Sequence, residues 1–247
     1  MHRTIVLLAA TLGCGLAPAG EAPKPLRAHM LSGSREYKSE ASLATLRGHL
    51  ESQYHVACTL SRGKDKGREL PGLEALDEAD VLVVFCRRMR LPDDQLARIQ
   101  AWCRAGKPVV GIRTASHAFQ TWLAFDKEVL GGDYKGHGGM EKAVRVLIEE
   151  EARDHPILAG VEEWTRACKM YHNPELAEDV AVLLSRESKK GREPLAWARV
   201  YDDARDGRSF YTPMGLPPDF ENPNFLRLLA NAIFWTAKRE PRPKPPQ

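Results

Sequence analysis

Residues 79–86, ADVLVVFC, form an unbroken apolar run of strand length. A strand with one wet face alternates apolar and polar residues, whereas a continuous run is buried on both faces. The segment after it is helical. Pro92 sits in the first turn, Asp93 and Asp94 suit the positive end of the helix dipole, and Leu96, Ile99 and Trp102 share one face over 92–105. Gly106 ends that helix, Pro108 prevents its restart, and PVVGI (108–112) opens a second apolar strand. Two such strands joined by a crossover helix constrain the chain to an α/β fold, a mostly parallel sheet with helices on both faces.

The alternation continues on either side. PLRAHML (25–31) reads as a strand and SGSREYKS as a loop. Leu43, Leu46 and Leu50 then mark an amphipathic helix. YHVACTL (54–60) is a second strand, and the polar residues 61–78 form a loop with a helical turn near Leu73 to Leu76. KAVRVLIEE (142–150), DVAVLLS (179–185) and PLAWARVY (194–201) have strand patterns. DDARDGR turns into SFYTPMG (209–215), which predicts an antiparallel pair at the sheet edge. A final helix over 224–238 buries Leu228, Leu229, Ala232 and Trp235. PRPKPPQ (241–247) is expected to be a disordered proline-rich tail, which leaves one domain over 20–240.

The chain is 43% hydrophobic over 247 residues, enough for one sizeable core. Its net charge is only +3, with acids and bases interspersed, so it lacks the basic stripe of a nucleic-acid binder. MHR, the apolar IVLLAATLGCGLA and then Ala17-Pro18-Ala19 have the pattern of a secretory signal over residues 1–19. The protein is therefore expected to be exported, periplasmic or secreted. The apolar run is too short to span a membrane, and no other segment is long enough. Leu12-Gly13-Cys14 offers a lipid-anchor alternative, but Thr11 stands where such signals favour leucine. Export would place Cys58, Cys86, Cys103 and Cys168 in an oxidising space. None forms a CxxC. Cys58 and Cys86, in strands, read as small core hydrophobes, and a disulfide among the four stays open.

In a parallel sheet, ligands bind beyond the carboxyl ends of the strands. Three polar loops fall there together: residues 32–37, 87–90 and 113–117. An apolar strand that ends in Arg-Thr-Ala-Ser-His has little packing reason to do so. About twenty residues on, glycines surround Asp133, Tyr134, Lys135 and His137, and Tyr171, His172 and Asn173 form a third polar cluster. The candidate lining comprises Ser34, Arg35, Arg88, Arg113, Thr114, Ser116, His117, Tyr134, His137, Tyr171, His172 and Asn173.

VVGIRTASHAF, GGDYKGHGG, Asp154-His155-Pro156, KMYHNPELAEDVAVLL and the ending AWARVYDDARDGRSFYTPMGLPPDFENPNFLRLLANAIFW resemble the ThuA-like, or trehalose-utilisation, family over residues 25–238. The resemblance implies a class I glutamine amidotransferase-like fold, a flavodoxin-like three-layer sandwich. It also implies a role in carbohydrate use, including oxidised (keto) disaccharides. In amidotransferase-like folds the turn after the PVVGI-type strand carries a nucleophilic cysteine. Here that turn begins Arg113-Thr114, and Cys103 belongs to the preceding helix, so cysteine-nucleophile chemistry is not expected. Two family features are also missing. Cys168-Lys169-Met170 replaces an Asp-Glu pair before Tyr171, and Gly215-Leu216 replaces a Gly-His.

The residues that remain suit acid–base chemistry on a sugar or keto-sugar. His117 or His137 would act as base, and the fixed fork of donors on Arg113 would steady developing oxyanion charge. Arg113 also has a structural reading, as a salt bridge under the sheet's lip. Ser116 beside His117 suggests Ser/His chemistry, but adjacent side chains at a turn usually point apart and no glycine-flanked elbow surrounds the serine. His117, His137 and His172 leave a divalent metal such as zinc open, without a local ligand spacing; no other cofactor is expected. His155 before Pro156 reads as structural. The expected partner is a small carbohydrate. A non-catalytic sugar-binding or scaffold protein, or a metal-dependent hydrolase, is the alternative, and the oligomeric state is open.

Overall fold

The computed structural model describes residues 24–188 and 191–245. The secretory signal expected over 1–19 lies outside the described residues. The elements are β1 (Leu26–Gly33), α1 (Ser39–Gln53), β2 (Val56–Arg62), β3 (Val81–Cys86), α2 (Asp93–Arg104), β4 (Val109–Ile112), β5 (His137–Ile148), β6 (Trp164–Tyr171), β7 (Val180–Ser188), β8 (Gly191–Asp202), β9 (Gly207–Thr212) and α3 (Pro223–Thr236). Short single turns of 3₁₀ or π helix fill several connections. Among the described residues, nine strands make one sheet in the order β2-β1-β3-β4-β9-β8-β7-β5-β6. The first five are mutually parallel, in the flavodoxin-like 2-1-3-4-5 pattern with β9 in fifth place. The remaining pairings are antiparallel.

Both faces of the parallel half are covered, and β3 shows why its sequence is continuously apolar. Val81, Val83 and Phe85 face the core under α1 and α3, while Leu82, Val84 and Cys86 face the core under α2. Leu43, Leu46 and Leu50 of α1 are fully buried against the first face, each worth about 1.5–3 kcal/mol relative to exposure. Leu96, Ile99 and Trp102 of α2 bury against the second, and the Trp102 indole N–H donates to the Pro108 carbonyl at 3.1 Å. The result is a three-layer sandwich.

Several expectations change. The β8–β9 hairpin pair exists, but it does not lie at the sheet edge: β9 sits at the centre, in register with β4 from Val109↔Ser209 to Ile112↔Thr212. β5 starts at His137, so part of the glycine stretch expected as loop is strand. β6 was not expected at all. Residues 242–244, expected in a disordered tail, lie against the end of α1 and the start of β2: His55 N–H donates to the Arg242 carbonyl at 3.1 Å and Lys244 N–H to the Gln53 carbonyl at 2.7 Å. All four described cysteines are free and buried, and burial raises each thiol's pKa, that of Cys58 to about 12. No helix among the described residues is long and apolar enough to cross a membrane.

Strand direction decides what meets at the rim. β4 and β9 run together, and four antiparallel steps then bring β6 back to the direction of β4. The carboxyl end of β6 therefore reaches the same edge as those of β1, β3 and β4. β5, running the other way, begins there.

Candidate functional site

The turn after β4 is built around strained backbone. Arg113 takes φ +49°, a left-handed conformation that costs a side-chain-bearing residue roughly 1–2 kcal/mol. Three contacts hold it. Tyr211 of β9 donates its hydroxyl to the Arg113 carbonyl at 2.6 Å. The loop after β3 clamps the end of the turn, with Arg88 N–H to the His117 carbonyl at 2.8 Å and Met89 N–H to the Ala118 carbonyl at 2.7 Å. Gly215, at φ +126°, packs beneath: a Cβ there would lie 2.8 Å from Ile112 and 3.3 Å from the Arg113 Cβ.

The Arg113 side chain is completely buried, and among the described residues no carboxylate pairs with it. Its guanidinium lies between two tyrosine rings, 4.1 Å from the centre of Tyr37 and 4.9 Å from that of Tyr171. Nη1 donates to the Pro213 carbonyl at 2.9 Å, whereas Nε and Nη2 have no partner. The salt bridge considered for Arg113 is thus absent. The buried arginine ion pair is instead Arg166 with Asp219.

Next to it, His117 stacks on Tyr134 with ring centres 4.5 Å apart, and Tyr171 lies 5.9 Å away. Burial, reinforced by the nearby Arg88 and Arg87 cations, lowers the His117 pKa to about 4, so the ring is neutral at ordinary pH. Ser116 Oγ is 3.1 Å from His117 Nδ1. The expectation that these neighbours point apart is therefore overturned, because the tight 3₁₀ turn over Arg113–His117 folds both side chains to one side.

A cavity of about 420 Å³ opens over this pair, lined by Arg88, Ser116, His117, Asp126, Tyr134 and Lys135 among others. Asp126 was missed by the sequence reading. It opens a single π-helical turn, Asp126–Leu130, which leaves no mark in the sequence, and only the fold turns its carboxyl inward. Oδ2 accepts the Tyr134 N–H at 2.9 Å, and Oδ1 has no partner. Gly132 passes so close that a Cβ there would stand 2.6 Å from Oδ1. Burial raises the Asp126 pKa to about 7, only partly offset by the Tyr134 N–H.

The remaining candidates spread over neighbouring surfaces. Thr114 is fully buried with an unpartnered hydroxyl and lies outside the His117 cavity. Tyr171, His172 and Asn173 border a separate cavity of about 830 Å³. His137 is exposed at the start of β5, its ring 6.3 Å from Tyr171 and outside the His117 cavity. Ser34 and Arg35 face another cavity, beside α1. Among the described residues, no three His, Cys, Asp or Glu side chains converge as metal ligands, and His117, His137 and His172 are no exception. His155 is structural as expected, accepting the Ile157 N–H at 3.2 Å against the Trp235 ring.

One pattern unites the rim. Among the described residues, eight buried side-chain nitrogens and oxygens lack a hydrogen-bond partner. Seven belong to Ser34, Arg113, Thr114, Asp126 and Asn173, all at or beside the carboxyl edge. The eighth is His49 Nε2 on α1, and leaving a buried polar group unmet costs about 1–3 kcal/mol. Of these residues, Asp126, Ser34 and Asn173 each border a cavity, whereas Arg113 and Thr114 are enclosed behind the rim.

A flavodoxin-like sheet with such an edge belongs to the α/β proteins that take small ligands beyond their strand ends. The family model for ThuA, described as trehalose utilisation, matches residues 28–236, and the chain belongs to this family. Among solved structures, it is similar to a ThuA-like protein from Parabacteroides merdae ATCC 43184, with TM-score 0.69, 17% identity, and coverage of 87% of this chain and 90% of that one. It is also similar to a ThuA-like protein from Bacteroides uniformis ATCC 8492, with TM-score 0.65, 20% identity, and coverage of 89% and 95%. No curated protein matches the chain.

Proposed function

We propose that this is an exported ThuA-family protein that performs acid–base chemistry on a disaccharide or keto-sugar in the His117 cavity, without amidotransferase activity. The observation that carries the reading is Asp126: a buried carboxyl with one free oxygen and a pKa near 7, facing a polar cavity that the stacked His117 and Tyr134 rings also line. A group poised near neutrality exchanges protons best at physiological pH. His117 remains neutral and acts as a hydrogen-bonding partner and ring platform. The base assigned to His117 or His137 therefore passes to Asp126. Arg113 cannot touch a ligand from its enclosed position and serves as a fixed positive charge behind Tyr171. The absence of a cysteine at the strained turn supports the exclusion of amidotransferase chemistry, and the leader-like N-terminus supports export.

The test is a turnover screen of disaccharides and their 3-keto forms with wild type, Asp126→Asn and His117→Ala. Turnover that Asp126→Asn abolishes and His117→Ala weakens supports the proposal. Undiminished turnover in Asp126→Asn refutes the acid–base assignment. Saturable thermal stabilisation by a sugar with no turnover would make the protein a binding module.

A further inference from the structure

A second cavity, of about 1040 Å³, lies where the carboxyl ends of β1 and β2 meet the N-terminus of α1. Its walls differ in chemistry from those of the His117 cavity. Arg35, Lys38, Arg62, Lys64, Lys66 and Arg87 line it, against Glu36, Glu40 and Asp65. Two of these acids are already engaged, Glu36 with Arg87 at 3.2 Å and Glu40 with Arg62 at 2.5 Å. Among the described residues, Arg35, Lys38, Lys64 and Lys66 form no ion pair, and only Asp65 remains to balance them.

The fifteen-residue helix α1 aims its positive end into this space. Ser39, Glu40 and Ala41 of its first turn line the cavity, and no side chain caps the helix. Free N–H groups and the dipole make such an end attractive to an anion. A second, independent feature points the same way. Ser34 is only 1% exposed, borders the cavity, and has no partner for its hydroxyl. Its neighbours are satisfied: Ser39 Oγ bonds Ser32 Oγ at 2.8 Å and accepts the Ser34 N–H at 2.9 Å. The Ser34 hydroxyl thus stands outside these bonds, a buried donor with nothing to donate to.

We propose that this cavity is a binding site for a small tetrahedral oxyanion, a phosphate or sulfate group. Ser34 donates from the floor, the α1 N-terminus supplies backbone N–H groups, and Lys38, Lys64 and Lys66 neutralise the charge. Arg87 and Arg88 are consecutive but face different cavities, Arg87 this one and Arg88 the His117 cavity. The oxyanion site stands apart from the acid–base reading, because its test reads binding and not turnover.

The experiment is thermal stabilisation and calorimetric titration of the full chain with inorganic phosphate, inorganic sulfate and sodium chloride at matched ionic strength. Saturable stabilisation by phosphate or sulfate over chloride is expected, and whichever binds tighter identifies the preferred anion. Ser34→Ala removes only an unsatisfied hydroxyl, so it keeps the fold, and with Lys38→Gln it should weaken binding at least about tenfold. Lys142→Gln, remote from the cavity, should change nothing. Equal responses to all three salts overturn the proposal, and so does unchanged binding in the Ser34→Ala, Lys38→Gln double variant.

Discussion

Two buried arginines of this protein should respond oppositely to the same substitution. Arg166 donates Nε to Asp219 Oδ1 at 2.6 Å and Nη2 to Oδ2, and Asp219 also accepts the Gly215 and Leu216 N–H groups at 2.8 and 2.7 Å. Arg166→Met strands that carboxylate in the core, which costs about 3–5 kcal/mol. Arg113 has no carboxylate to strand. Its favourable contacts are one charged hydrogen bond, worth about 1.5–3 kcal/mol, and two cation–π contacts of about 0.5–2 kcal/mol each. Against them stand a desolvation cost of several kcal/mol for the buried ion and two unmet donors at about 1–3 kcal/mol each. Methionine fills a similar volume and meets the same strain at φ +49°, so the backbone term cancels. Arg113→Met should therefore be neutral to about 3 kcal/mol stabilising. Each kcal/mol shifts Tm by about 2–4 °C in a chain this size. Urea unfolding and calorimetry of the two variants, alongside the sugar assay, measure the contrast. A stable but inactive Arg113→Met would show that this charge is kept for function at the expense of stability. If Arg113→Met loses as much stability as Arg166→Met, the guanidinium is structural and the reasoning fails.

Other perturbations probe the cavity. Asp126 has a folded pKa of about 7 against 3.8 for the ordinary side chain, so its ionisation opposes folding: its contribution is intact below about pH 4 and is lost as pH rises through 7. Asp126→Asn should thus raise Tm over wild type at pH 8 and match it near pH 4; an equal Tm at pH 8 would disprove the shift. His29 and His117 are both lowered from 6.5 to about 4, chiefly by burial, so they add stability above pH 6.5 that is lost as pH falls toward 4. Imidazole NMR signals assigned to His29 or His117 that titrate near pH 6.5 would contradict this. Gly132→Ala forces the Asp126 carboxyl aside and should cost about 1–3 kcal/mol together with activity; a crystal structure with Asp126 unmoved would refute it.

The parallel half of the sheet was legible because its physics is local. β3 carries one apolar face for each flanking helix layer, so burial on both sides is written into every residue. β6 was illegible for a specific reason. Its inward row is Trp164, Arg166, Cys168 and Met170, and the arginine in that row hides the alternation. Arg166 is tolerable there only because Asp219, 53 residues away, neutralises it. The same logic hid the position of β9. The hairpin with β8 is a short-range signal, whereas the register with β4 joins segments a hundred residues apart, as Val109 with Ser209 shows.

The site divides along the same line. Arg113, Ser116, His117, Tyr134 and Tyr171 were visible because polar residues at the end of an apolar strand, and among glycines, stand out locally. Asp126 was not, since one aspartate in a polar segment signals nothing until Gly132 closes over it and burial raises its pKa. That difference reshapes the chemistry. The visible histidines invited a histidine base, yet His137 is exposed and His117 is held neutral by burial among arginines. In a cavity that lowers the pKa of a histidine and raises that of an aspartate, the two values cross, and the carboxyl becomes the group that exchanges protons near pH 7. In the proposed chemistry the strained turn therefore works by position: it buries a cation behind Tyr171, presents His117 as a neutral wall, and leaves the proton to Asp126.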